Sequence, residues 1–130
     1  MRALYSELLL DHFRNPRNFG SLPAPDITYE GFNPLCGDRI RIELKLRGDT
    51  VQAAGFLGDG CAISLAAASM LTELIVGSEL TSVEGISSEQ LLSSLKSDIR
   101  ATRVKCALLP LEALHSGLKI YKARGRREYS

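Results

Sequence analysis

Residues 39–75 read RIRIELKLRGDTVQAAGFLGDGCAISLAAASMLTELI, and the hydrophobic period changes once inside this stretch. Over 39–46, Ile40, Ile42, Leu44 and Leu46 alternate with Arg39, Arg41, Glu43 and Lys45. Period two means a strand with one buried and one wet face. Gly48-Asp49 supplies a two-residue turn with glycine first, as a type II′ turn prefers, and Val51 to Leu57 forms the return strand. Then Ile63, Ala66, Ala67, Met70, Leu71, Leu74 and Ile75 follow helical spacing, with Gly77 placed to stop the helix.

Upstream, Leu4, Leu8, Leu9 and Phe13 predict an amphipathic helix over about 3–14, closed by Asn15-Pro16. Residues 18–26 read as loop, and Ile27-Thr28-Tyr29 starts a short strand. Downstream, Ser87 and Gln90 fit a capping box for a helix through about Leu95. Val104, Leu108, Leu111, Leu114, Leu118 and Tyr121 define a last helix. Pro110 must sit in its first turn to be tolerated, so a start at 107–109 is expected, with Cys106 at its mouth. Helix, strands, then helices predict an α+β fold: an antiparallel sheet with helices packed on one face.

The 130 residues are expected to form one domain. Lys+Arg is 16 and Asp+Glu is 15, a balance that argues against a nucleic-acid coat protein. The charge is uneven. Residues 61–95 hold four acids and no Lys or Arg, whereas 96–127 hold nine bases and two acids. The basic end is either a solvated tail or a docking surface for an acidic protein partner. Residues 123–130 read as a flexible basic tail. The N-terminal stretch does not read as a signal peptide, and no run approaches the roughly 20 apolar residues of a membrane helix. A cytoplasmic protein with three reduced cysteines, Cys36, Cys61 and Cys106, is expected.

If Gly48-Asp49 are the turn, Arg47 pairs with Thr50, and continuing that register sets Cys36 opposite Cys61. A single bulge would shift this by one residue without separating them. Asp38 lies two residues from Cys36. Cys61 opens the long helix and Cys106 the last one, where unpaired N–H groups and the helix dipole favour a thiolate. Four readings compete: buried core cysteines, a Cys36–Cys61 disulfide, a nucleophilic cysteine served by His12 or His115, and a soft-metal or iron–sulfur site. Glycines flanking Cys36 and Cys61 make poor core filler, and neither histidine has a motif-like context. The metal reading is favoured. Three thiolates and one carboxylate make four ligands, and thiolates select zinc, iron–sulfur clusters or copper(I).

Asn33-Pro34-x-Cys36-Gly37-Asp38, Gly58-x-Gly60-Cys61-Ala62-Ile63-Ser64 and Arg103-Val104-Lys105-Cys106 together resemble the U-type iron–sulfur scaffold family. That family includes IscU, SufU and the N-terminal domain of NifU. The segment from Tyr5 through Asp11-His12-Phe13-x-Asn15-Pro16-Arg17-Asn18-Phe19-Gly20 is similar to the family's opening. The resemblance implies a three-stranded antiparallel sheet with helices on one face. It implies that Cys36, Cys61 and Cys106 are zinc or cluster ligands, and that Asp38 is a zinc ligand and promoter of cluster release. It implies a scaffold or sulfur acceptor rather than an enzyme, with a sulfurtransferase-like role as the variant. The partners would be a cysteine desulfurase of IscS/SufS type, which delivers sulfur as a persulfide, and recipient apo iron–sulfur proteins. Neither nucleic acid nor a membrane is expected as a partner. The cargo would be a transient [2Fe-2S] cluster, with Zn2+ in the resting form. Cys36 and Cys106 are the candidate persulfide acceptors, and Cys61 reads as a fixed ligand.

Lys105 stands where IscU-type members have His, as in SufU. Residues 100–105 replace the chaperone-binding Leu-Pro-Pro-Val-Lys segment, which argues against chaperone-driven transfer. SufU members carry about twenty more residues before the third cysteine than this chain does. Three function classes follow: a cluster scaffold, a zinc-bound sulfur acceptor that activates a desulfurase, and a structural zinc module.

Overall fold

The computed structural model describes the backbone of residues 6–129 and the side chains of 6–125. The sheet has the order β1 (Ile27–Asn33), β2 (Asp38–Arg47), β3 (Thr50–Asp59), antiparallel throughout. The helices are α1 (Glu7–Arg14), α2 (Ala62–Ile75), α3 (Leu80–Glu84), α4 (Ser88–Ser94) and α5 (Val104–Tyr129). A 3-10 turn over Ala101–Arg103 leads into α5. Helix α2 packs on β3 and β2, and α5 packs on β1 and β2. The α+β architecture with helices on one face is the one expected.

The core face of the sheet carries Ile27, Ile40, Ile42, Leu44, Ala54 and Phe56, all buried. Full burial of each large side chain is worth about 1.5–3 kcal/mol. Two glycines set how closely α5 approaches. A methyl group at Gly31 of β1 would lie 3.1 Å from Leu109 Cδ1, and one at Gly117 of α5 would lie 3.1 Å from Ile27 Cγ2. The opposite face is not wholly wet. Glu43, expected on the solvent side, is buried because the loop over 18–26 crosses it, and the Leu22 N–H donates to Glu43 Oε1 at 2.7 Å. Residues 18–20 also bond the free edge of β3 at Phe56, which blunts that edge.

The hairpin turn is as expected: Arg47 pairs with Thr50, and Gly48 takes φ +62°. A bulge between Lys45 and Leu46 then shifts the register, so Arg39 faces Asp59. Strand β2 begins only at Asp38. Cys36 therefore lies in the β1–β2 turn, and it does not face Cys61 across the hairpin as expected.

The helices differ from expectation in four places. In α1, Leu9 and His12 are buried, while Phe13 is exposed; residues 3–5 of the expected helix lie outside the described residues. The short helix α3 was not anticipated; five residues carry too little periodicity to be seen. Helix α5 starts at Val104, so Pro110 lies inside it and Cys106 in its first turn. Pro110 has no N–H to donate to the Cys106 carbonyl four residues back. Finally, the backbone stays helical through Tyr129, across the stretch expected as a tail. The capping box at Ser87 and Gln90 is present, and α2 ends at Ile75, with Gly77 two residues on at φ +87°.

Helix α1 is tied to α2 by a buried polar cluster. His12 Nδ1 lies 2.8 Å from Ser69 Oγ, and the Arg17 N–H donates to that same oxygen at 2.8 Å. The Ser69 hydroxyl proton is thus free for His12 Nδ1, which suits a neutral imidazole. Burial lowers the His12 pKa from 6.5, and Arg17 lowers it further, against the pull of Glu73 and Asp11. The unfolded chain takes up the His12 proton first as pH falls, so protonation favours unfolding. The urea midpoint is expected to drop as pH is lowered below 6.5, and His12→Gln should flatten that slope; an unchanged slope in the variant would assign the pH dependence elsewhere.

Candidate metal centre

Asn33 ends β1 and shapes the turn that carries Cys36. Its carbonyl accepts the Gly37 N–H at 2.8 Å, and its Oδ1 accepts the Leu35 N–H at 3.0 Å. Gly37 takes φ +76°, a conformation that L side chains rarely adopt. The turn leaves Cys36 exposed and delivers Asp38, the first residue of β2, to the buried side.

Helix α5 brings Cys106 to the same place. It is 2% exposed, and its Sγ lies 3.4 Å from Cys36 Sγ. One ligand atom each from Cys36, Asp38 and Cys106 lie within 4.8 Å of one another. Cys61 is the N-cap residue of α2, half-buried, with Sγ 3.8 Å from Ser64 Oγ. It does not belong to that tight group of three, although its charge is felt at Cys106. Neither His12 nor His115 enters the group; His12 contacts Ser69, and His115 contacts the Val83 carbonyl. The nucleophilic Cys–His reading therefore has no geometry behind it.

Burial pushes the Cys106 thiol up to about 12, and the hydrogen bond to Cys36 and the negative charges of Cys61, Cys36 and Asp38 push the same way. The helix N-terminus was expected to favour a thiolate here. Desolvation and like charge outweigh it. A cation reverses both effects, so metal uptake must release the Cys106 proton.

The fit to a metal rests on Asp38. Asp38 is 5% exposed, and its Oδ2 is buried with no hydrogen-bond partner. A carboxylate oxygen left that way costs several kcal/mol unless something positive meets it. Two soft sulfurs and one hard oxygen around a shared point suit zinc, at about 2.3 Å for sulfur and about 2.0–2.2 Å for oxygen.

Ser64 follows Cys61 in the sequence motif, where nothing in the sequence gives it a role. It is fully buried, its hydroxyl donates to the Cys61 carbonyl at 3.1 Å, and it stands beside Cys61 Sγ. Its position three residues after an N-cap is the signal that could have found it. Gly60 is hemmed in by this group. An added methyl would collide with Ser64 Oγ and come within 3.3 Å of the Asp38 carboxyl carbon. Beside the site, Phe32, Pro34, Leu35, Lys105 and Leu109 line a groove of about 370 Å³, and Leu35 is 80% exposed.

Among the described residues, no helix is long and apolar enough to cross a membrane.

Residues 4–128 match the family described as NifU-like N terminal domain. A zinc-dependent sulfurtransferase, SufU of Bacillus subtilis, is 38% identical, covering 89% of this chain and 90% of its own length. That alignment runs over 135 positions, more than this chain has, so the relative carries residues this chain lacks. An iron–sulfur cluster assembly scaffold protein, IscU of Haemophilus influenzae, is 32% identical over 92% of this chain and 97% of its own. Among solved structures, a SufU from Fervidobacterium islandicum AW-1 superposes with a TM-score of 0.75 at 25% identity, covering 88% of this chain and 96% of that one. The N-terminal part of a NifU-like protein from Brucella abortus shares the fold, with a TM-score of 0.77 at 17% identity, over 92% of this chain and 95% of that one.

Gly60→Ala is expected to cost about 1–3 kcal/mol of stability by overpacking. Because the strain falls on Ser64 and Asp38, it should also weaken zinc binding in a chelator competition. Unchanged zinc affinity in a destabilised variant would separate Gly60 from the site.

Proposed function

The chain belongs to the family of NifU-like N-terminal domains, and from that premise we propose that it is a scaffold for assembly of a transient [2Fe-2S] cluster. The observation that carries this reading is the unpartnered, buried Asp38 carboxylate beside the touching thiols of Cys36 and Cys106. Cys61, fixed at the N-terminus of α2, is the fourth ligand. The cluster and its iron and sulfide are cargo. Sulfur arrives as a persulfide from a cysteine desulfurase, and the finished cluster passes to recipient apo iron–sulfur proteins.

Each residue has a task that follows from its placement. Cys36 is exposed in a turn and open to a sulfur donor. Cys106 is shielded behind it, so it holds what has been loaded. Asp38 offers an oxygen among sulfurs. Iron in a sulfide cluster prefers thiolate, so this is the most exchangeable ligand of the four. That supports a site built to release.

A second reading is favoured by one observation. Cys36, Asp38 and Cys106 together form a compact donor set of zinc-binding type, and Lys105 stands before the third cysteine as in SufU. In that reading Cys36, Asp38 and Cys106 would hold a resting Zn2+, which would supply positive charge favouring the deprotonated thiols, and the chain accepts sulfur without carrying a cluster.

Anaerobic isolation followed by metal and acid-labile sulfide analysis and a visible spectrum decides between the two. Iron and sulfide in equal amounts support the scaffold, and zinc without sulfide supports the acceptor. Cys106→Ser is expected to abolish stable cluster assembly; wild-type cluster content in that variant would exclude Cys106 as a required ligand. Asp38→Ala is expected to lengthen the lifetime of a reconstituted cluster about tenfold, read from the decay of its visible absorption. A more labile cluster would remove Asp38 from release.

A further inference from the structure

Cys36 and Cys106 are unlike each other although their sulfurs touch. One is exposed, and the other is 2% exposed behind it. They are 70 residues apart in sequence, and only the seating of α5 against the β1–β2 turn joins them. A donor from outside reaches Cys36 first. Any sulfur bound there then has one protein thiol against its inner atom, the thiol of Cys106, 3.4 Å away. An open thiol backed by a shielded one is the arrangement of an acceptor and its resolving partner. Cys61 does not share it, since it stands outside the tight group and contacts Ser64 instead.

We propose that in the metal-free chain Cys106 resolves a persulfide formed on Cys36, releasing the delivered sulfur as sulfide and leaving a Cys36–Cys106 disulfide. This rests on the sulfur-acceptor role of Cys36 given above. In the first step the Cys36 sulfur attacks the outer sulfur of a donor persulfide. The donor's S–S bond breaks, the donor leaves as a thiol, and one sulfane sulfur stays on Cys36. In the second step the Cys106 sulfur attacks Cys36 Sγ. The bond from Cys36 Sγ to the terminal sulfur breaks, and that sulfur takes the electron pair and the Cys106 proton and leaves as hydrogen sulfide. The sulfane sulfur gains two electrons, and the two thiols lose two in forming the disulfide. A dithiol reductant restores the pair by exchange.

The consequence is chemical. A donor persulfide carries sulfur at the level of the element, whereas a cluster contains sulfide. This thiol pair supplies the two electrons that separate them. A metal ion bound to both sulfurs withholds them from the exchange, so sulfide release belongs to the metal-free state.

The test uses the full chain, stripped of metal by chelation and treated anaerobically with one equivalent of glutathione persulfide, with no other reductant. About one equivalent of sulfide should appear. The intact mass should fall by two hydrogens, and peptide mapping should join the peptides holding residues 36 and 106. In Cys106→Ser and Cys106→Ala the added sulfur should remain on Cys36 at least about tenfold longer, with no sulfide released. A wild-type persulfide as long-lived as that of the Cys106 variants, or a disulfide that joins Cys36 to Cys61, overturns the proposal. A chain that takes up no sulfur from glutathione persulfide overturns the acceptor role beneath it as well.

Discussion

The close seating of α5 on β1 is the constraint on which the rest of the site depends. It is set by two missing side chains, at Gly31 and Gly117, where added methyl groups would press on the opposing element at 3.1 Å. With the helix at that distance, its first turn reaches the β1–β2 turn and Cys106 meets Cys36. A helix held further out would leave the two thiols as unrelated residues on separate elements.

The same seating makes the site electrostatically incomplete. It buries a thiol whose pKa is driven up to about 12 and a carboxylate oxygen with no partner. Protein interiors rarely leave such groups alone, because desolvation without compensation is costly. In the proposed reading a cation supplies the compensation, and the cost borne by the folded chain is recovered on loading, which would couple occupancy to stability. Pro110 adds to this local incompleteness, since it withholds a hydrogen bond from the Cys106 carbonyl in the helix that carries this thiol.

Distant contacts keep this arrangement in place. The His12–Ser69 pair fixes α1 to α2, whose N-terminus carries Cys61. The Val51 N–H donates to the Ser78 carbonyl, the Gly77 N–H to the Val51 carbonyl and the Leu80 N–H to the Asp49 carbonyl, which hold the connection after α2 to the hairpin. Lys122 pairs with Glu84 at 2.7 Å and joins the far part of α5 to α3. The candidate ligands therefore stand on elements braced at their other ends, while the Cys36 turn itself is exposed.

The sequence by itself determined the hairpin, its two-residue turn, helix α2 and its stop, and the identity of the three thiols and one carboxylate. Those features are local: periods of two and 3.6 and glycines at turns act within a few residues. What it could not determine was which sulfurs touch. Extending the hairpin register pointed to Cys36 and Cys61, but the bulge at Lys45/Leu46 and the late start of β2 moved Cys36 into a turn. Nor could it place Cys106 inside α5, because Pro110 argued for a later start and was overridden by packing. Helix docking decided the Cys36–Cys106 contact and the elevated thiol of Cys106, and the packing of the 18–26 loop decided the burial of Glu43. Each of these depends on desolvation by residues distant in the chain, and desolvation exists only once the elements have packed.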